Sequence, residues 1–336
     1  MKRLFVILIP LFVTACSLIY DDLSVCGDEH VINYQLQLRT ELTTQLQTEL
    51  AAETDSLVRE ALKDWLSPVF TDKAKDIDLH FFSQETDLLS RRIQDVINSN
   101  TTSYTINLPK MNYMHLALAN MADNDQMYVA DDTYSTTMRL VLPDKPELHS
   151  LNTGVFSARL PMAVEDTSQQ FNVYLYMVNA AVALVIDTTE CDSLASIDGM
   201  MNDAACGFAV RDSVFSYASP CSFKLVNVPV KGALRAPQAQ PALREEITMD
   251  HPLCMATVGM PTPDDAPWTI TVTSHMMNNK EANNTITLTD PLRAGTLRVI
   301  QLKMTPDGKL VDKSNSEVGI SITVVWKEGS EHEIDV

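Results

Sequence analysis

The feature that most constrains this chain is the placement of apolar residues at every second position. Ile320, Ile322, Val324 and Trp326 recur at alternate positions, as do Trp268, Ile270 and Val272. Such alternation turns one face of an extended strand toward a core and the other toward water. Short segments of this kind recur along the chain: 32–38, 77–82, 104–108, 113–119, 137–142 and 155–164, then 171–177, 182–187, 208–215 and 223–230. They continue at 255–259, 268–273, 285–288, 297–304 and 320–326. Clusters of Asn, Asp, Pro and Gly separate them. Many short, half-buried strands imply an all-β chain built of antiparallel sandwiches, not a parallel α/β sheet.

One segment breaks the period. Leu42, Leu46, Leu50, Leu57, Leu62, Trp65 and Leu66 fall mostly on one helical face, and Pro68 ends the pattern. This predicts a single long amphipathic helix that covers a sheet or docks a partner. A shorter helix is expected over 87–97. The chain is 336 residues long, which favours two domains. The polar stretch 165–170 marks the expected division, with 143–150 as the other candidate linker. That gives an N-terminal β-sandwich over 28–165 and a C-terminal one over 166–336. Residues 231–244, rich in Ala, Pro and Gln, read as a long loop within the second domain.

The first 15 residues read as a signal peptide. Lys2 and Arg3 precede an apolar run over 4–13 that is about half the length needed to span a bilayer. Thr14 and Ala15 before Cys16 fit the lipobox of bacterial lipoproteins, in which the thiol is alkylated with a diacylglyceryl group. The alternative is an ordinary secretory signal followed by a chance cysteine. Several acyl chains hold a protein firmly to a membrane, whereas one binds only marginally. Residues 16–27 would then be a lipidated tether, and the remainder would work at a membrane surface.

The net charge of −19 disfavours nucleic acid and anionic lipid as partners. Besides Cys16, the cysteines are Cys26, Cys191, Cys206, Cys221 and Cys254, an odd number that leaves at least one thiol free or paired between chains. Export permits disulfides without requiring them, and spacing does not reveal a pairing. The chain contains no G-x-G-x-x-G, phosphate-binding loop, H-E-x-x-H, C-x-x-C or G-x-S-x-G pattern. His30, His80, His115, His149, His251, His275 and His332 are isolated in sequence, and each reads as a surface or strand-edge residue. Asp123, Asp125, Asp131 and Asp132 are clustered but lack the spacing of a calcium loop, so they read as a solvated acidic loop. No catalytic residue, metal ligand or cofactor is expected.

Several segments together resemble the anchor-subunit lipoproteins of Bacteroidales fimbriae, the type V pili. Cys16 is followed by Asp21, Asp22 and Leu23 and by a second cysteine, Cys26. Residues 77–82 and 104–120 resemble an aromatic-ended strand and a later strand pair, matching at Leu108, Pro109, Tyr113 and Asn120. Met111 and Leu118 stand where the pattern has Gly and Trp. Gly154, the run 171–185 and the closing 319–326 complete the series. The resemblance implies two tandem transthyretin-like Greek-key sandwiches and an outer-membrane anchor or accessory role in a pilus. The implied partners are fimbrial stalk subunits, the outer membrane through the lipid, and a host or bacterial surface ligand.

In such pili a stalk subunit loses its first strand, and a neighbour's C-terminal strand fills the groove. An anchor keeps its own first strand, here 31–38, and donates from its C-terminus, which makes Ile320, Ile322, Val324 and Trp326 the candidate donor stripe. The other reading of that stripe is a core strand of the second sandwich. Asp21 and Asp22 resemble a surface-export signal. A non-polymerising surface adhesin or glycan-binding lipoprotein is the alternative function.

Overall fold

A computed structural model describes residues 29–39, 56–70, 73–96, 103–130, 135–230, 252–313 and 320–327. The N-terminal elements are β1 (Glu29–Arg39), α1 (Ser56–Leu66), β2 (Asp76–Ser83), β3 (Leu89–Val96), β4 (Ser103–Pro109) and β5 (Asn112–Ala119). They are followed by β6 (Tyr128–Ala130), β7 (Arg139–Val141), β8 (Phe156–Ala163) and β9 (Gln169–Met177). Then come β10 (Ala180–Asp187), β11 (Leu194–Ala204), β12 (Gly207–Ala209), β13 (Val214–Ser216), β14 (Cys221–Asn227) and β15 (Leu253–Gly259). The last are β16 (Trp268–Met276), β17 (Glu281–Leu288), β18 (Leu297–Met304), β19 (Leu310–Asp312) and β20 (Ile320–Lys327). Among the described residues the fold is mostly β with one short helix.

Two nearly closed, barrel-like sheets carry the mass of the protein. One has seven strands in the order β3-β2-β5-β8-β9-β1-β4, the other nine in the order β19-β18-β10-β15-β14-β11-β16-β17-β20. Both use the same entry. The first strand of each sheet lies inside it, parallel to a late strand on one side and antiparallel to another strand on the other. So β1 pairs with β9 and β4, and β10 pairs with β18 and β15. The domain division expected at 165/166 falls between β8 and β9, which are hydrogen-bonded neighbours of the seven-stranded sheet. Sheet membership changes after Met177 instead, where the chain crosses into β10.

The two sheets share a seam. A four-stranded sheet, β13-β12-β7-β6, takes two strands from the chain before the crossing and two from the chain after it. Phe208 lies opposite both Leu140 and Phe215 in its ladders. Leu142 N–H donates to the Cys206 carbonyl (3.1 Å), and Leu151 N–H donates to that of Val258 (2.8 Å). Buried apolar side chains run without a break from Ile32 to Leu310. The two sheets therefore rest on one continuous core.

The helix α1 buries Val58, Leu62 and Leu66, a stripe of period four, and closes with Lys63 in its last turn. It stops at Pro68, where the Ser67 and Phe70 amides cap the Lys63 and Leu66 carbonyls. The part of the expected helix over 42–55 lies outside the described residues. Its exit packs tightly. A Cβ on Gly154 would collide with the Val69 carbonyl oxygen, so only glycine fits there. Asn120 takes a positive φ of 62° and bridges the same region. Its amide oxygen accepts from Lys75 N–H (2.7 Å), and its nitrogen donates to the Gly154 carbonyl (3.0 Å).

Two sequence expectations are corrected here, and one strand is new. The segment expected as a helix over 87–97 is the edge strand β3, paired along β2. Leu89 and Ile93 have helical spacing, but the ladder and the ion pairs of Arg92 to Asp78 decide the outcome. The expected strand 208–215 is a hairpin, β12 and β13, with Ser213 at a φ of 55° in its turn. The long strand β11 was not expected, because Ser196, Asp198, Asn202 and Asp203 obscure its alternation.

Candidate functional site

The first and last described strands carry the geometry on which a strand-exchange reading depends. In β1 the side chains alternate, with Ile32, Tyr34 and Leu36 buried and Val31 and Asn33 exposed. Burying each large apolar side chain contributes roughly 1.5–3 kcal/mol, so β1 is held by several kcal/mol of burial besides two hydrogen-bond ladders. It is a wall of the first core, not a strap across it.

A buried polar lock fixes β1 in register. Tyr34 Oη lies 2.7 Å from His115 Nε2, and His115 Nδ1 lies 2.9 Å from the His80 carbonyl oxygen. A carbonyl only accepts, so Nδ1 carries the proton and Nε2 accepts from the Tyr34 hydroxyl. The imidazole is neutral. Burial pushes its pKa down to about 4, against a weaker upward pull from the His80 carbonyl and a further lowering by the His80 side chain. Burial also raises the Tyr34 hydroxyl well above its ordinary value, with Tyr104 adding to the rise. The His115 ring stacks on Phe81 with centroids 4.3 Å apart, and Tyr34 meets Phe81 edge-on at 6.4 Å.

His80 and His115 are both fully buried, which corrects their reading as surface or strand-edge residues. His115 shares the inward parity of Tyr113 and Ala117 in β5, a signal that could have placed it in the core. His80 Nε2 approaches Asp78 Oδ1 at 3.4 Å but makes no well-aligned hydrogen bond there. Desolvation lowers its pKa, with Asp78 opposing. Both rings are structural.

The candidate donor stripe lies in β20, at the outer edge of the nine-stranded sheet. It pairs antiparallel with β17 from Leu288 opposite Ile320 to Glu281 opposite Lys327. Ile322 is half-buried against the core, and Thr323 is exposed. The strand thus sits in its own domain with β17 as its one ladder neighbour among the described residues. Cys16, Asp21, Asp22 and Cys26 lie outside the described residues, as do Asp131 and Asp132. Asp123 pairs with Lys75 at 3.1 Å, and no group of three or more His, Cys, Asp or Glu among the described residues could hold a metal. Cys191, Cys206, Cys221 and Cys254 are free thiols. Burial raises Cys254 to about 12, and burial, with Cys206 and Asp144 adding, raises Cys221 to about 11. Among the described residues no helix is long and apolar enough to cross a membrane.

Solved structures from Bacteroides thetaiotaomicron share this arrangement. A candidate adhesin from Bacteroides thetaiotaomicron superposes with a TM-score of 0.54 at 10% identity, over 89% of this chain and 98% of that one. A structure of candidate polysaccharide-binding proteins from the same organism gives 0.51 at 9% identity, over 90% and 99%. The chain shares their fold. The fimbrial anchor protein Mfa2 from Porphyromonas gingivalis also matches, at 11% identity and a TM-score of 0.49, over 89% and 98%. No protein-family model matches the chain, and no curated protein matches its sequence.

Proposed function

We propose that this chain is a structural, non-enzymatic surface lipoprotein that ends a fimbrium as its anchor or as a capping accessory subunit. The observation that carries this reading is the interior position of β1. In the first sheet the position between β9 and β4 is already filled by β1, the first described strand. A subunit of that kind gives a strand without taking one, which suits the end of a fibre. The sequence resemblance to type V pilus anchor subunits and the fold shared with Bacteroides adhesins support it. The parallel entry of β1 and β10 supports reading both sheets as variants of the transthyretin-like Greek-key sandwich.

In this reading Cys16 carries the lipid, Asp21 and Asp22 direct the protein to the outer face of the outer membrane, and stalk subunits are the partners. β20 is the strand given. Among the described residues it has one ladder to break, against two for any interior strand. Its alternating Ile320, Ile322, Val324 and Trp326 would set register in a partner's groove. Two truncations test this. Deletion of 329–336 should leave fimbriae attached to cells, and deletion of 319–336 should release them into the medium. Fimbriae that stay attached with both truncations contradict strand donation. Protease added to intact cells should digest the protein, and its protection would place it facing the periplasm.

A further inference from the structure

The outward face of the first sheet around β1 differs from the rest of this acidic protein. The chain carries 44 Asp and Glu residues and a net charge of −19. Yet none of the residues over 33–37, 103–107 and 170–176, where three adjacent strands run side by side, is charged, and Arg39, opposite Tyr176, is the one charged residue that closes the row. The register aligns their outward side chains in rows. Asn33 of β1 faces Gln170 of β9, Gln35 faces Asn172, and Gln37 faces Tyr174. On the other side of β1, Thr105 of β4 lies opposite Asn33. Asn33, Asn172 and Thr105 are exposed, and Gln35 and Gln37 are half-exposed.

Two tyrosines stand on this face. Tyr174 and Tyr176 are 37% and 63% exposed, and as alternate residues of β9 they project on the same side, roughly 6.6 Å apart along the strand. Exposed tyrosine rings beside carboxamides form a definite chemical surface. The ring offers a flat apolar face with a polar tip. Each carboxamide presents one acceptor and two donors in a plane. Sugar rings present the complement, an apolar face of C–H groups edged by hydroxyls that both donate and accept.

We propose that this face, centred on Gln35, Asn172, Tyr174 and Tyr176, is a binding platform for an uncharged polysaccharide. Charge selects the ligand class. The strongly acidic protein as a whole repels anionic polymers, and the single basic position in these rows, Arg39 opposite Tyr176, leaves the net charge at −19. An extended neutral chain lying along β9 would stack on the two tyrosines and hydrogen-bond to the amide rows of β1 and β9. The platform is independent of strand donation, since it lies on the first sheet and β20 on the second.

The test uses the full mature lipoprotein in a polyoxyethylene detergent, which carries no sugar. Retention is measured on immobilised dextran, barley β-glucan, yeast mannan and xylan, with polygalacturonate as the charged control. At least one neutral polymer should retain the protein. Tyr176→Ala should weaken that retention about tenfold, the loss of one aromatic contact, while Tyr176→Phe keeps the ring and the binding. Gln35→Ala should weaken it several-fold, and each variant should melt at the wild-type temperature. Lack of retention on every neutral polymer would overturn the proposal. So would equal retention on polygalacturonate, or retention unchanged in both Tyr176→Ala and Gln35→Ala. Loss of fimbrial attachment in Tyr176→Ala with unchanged polysaccharide retention would give the face to a protein partner and also overturn it.

Discussion

The Tyr34 hydroxyl of the first strand donates to His115 Nε2 of β5 across 2.7 Å in the centre of the first core. The two residues are 81 positions apart in sequence, and their bond ties the N-terminal strand to the middle of its sheet. Tyr34→Phe keeps the ring and its contacts but leaves the imidazole acceptor buried without a partner. The variant should lose about 1–3 kcal/mol of unfolding free energy, measured by urea denaturation with an unchanged m-value.

The same histidine sets a pH dependence. Its pKa is about 4 in the folded protein and 6.5 when unperturbed, so the unfolded chain binds more protons between those values. Its contribution to stability is complete above pH 6.5 and is lost as pH falls toward 4. His80, lowered for the same main reason, acts with the same sign. The loss ascribed to His115 is on the order of 3 kcal/mol. Replacing His115 by Gln should flatten the melting-temperature profile in this window.

The shared seam implies cooperative unfolding. Leu140 is fully buried in β7, whose ladder joins β12 of the second half. Leu140→Ala should cost about 2–5 kcal/mol and lower one calorimetric transition that covers both sheets. By contrast, Lys75→Ala removes the exposed Lys75–Asp123 pair at 3.1 Å and should change stability by less than about 1 kcal/mol.

Gly154→Ala should be more damaging than its size suggests. The added Cβ meets the Val69 backbone carbonyl and the Met177 side chain, and a carbonyl fixed at the end of α1 has no room to yield. A loss of about 1–3 kcal/mol in urea denaturation is expected.

The free thiols should differ in reactivity. Cys254 is buried and raised to about 12, whereas Cys206 is half-exposed on the seam. Iodoacetamide applied to the native protein should label Cys206 well before Cys254, as read by peptide mass spectrometry. Equal labelling of the two would mean that β15 opens as readily as the seam.

Most strands were legible in the sequence because their alternation is clean, as in β16 and β17, where buried and half-exposed residues alternate almost without exception. The failures have physical causes. At the sheet edge β3 neither face is fully covered, so nothing forces alternation, and Leu89 and Ile93 mimic a helix. In β11 the outward face is so polar that only Leu194, Gly199, Met201 and Ala204 record burial. The crossing between the two sheets leaves no polar linker to read, because β9 and β10 are joined by Val178 and Asn179 alone. The lock of Tyr34 and His115 joins residues far apart in sequence, which no local pattern records.

The most direct measurement of the central claim is a reversible lock on the last strand. Thr285 of β17 and Thr323 of β20 are ladder partners. In a Thr285→Cys, Thr323→Cys double variant a disulfide would hold β20 in its own sheet. The account predicts that oxidised cells shed their fimbriae and that dithiothreitol restores attachment, with each single variant behaving as wild type. Fimbriae that remain attached while the disulfide is shown by mass spectrometry to be intact would contradict it.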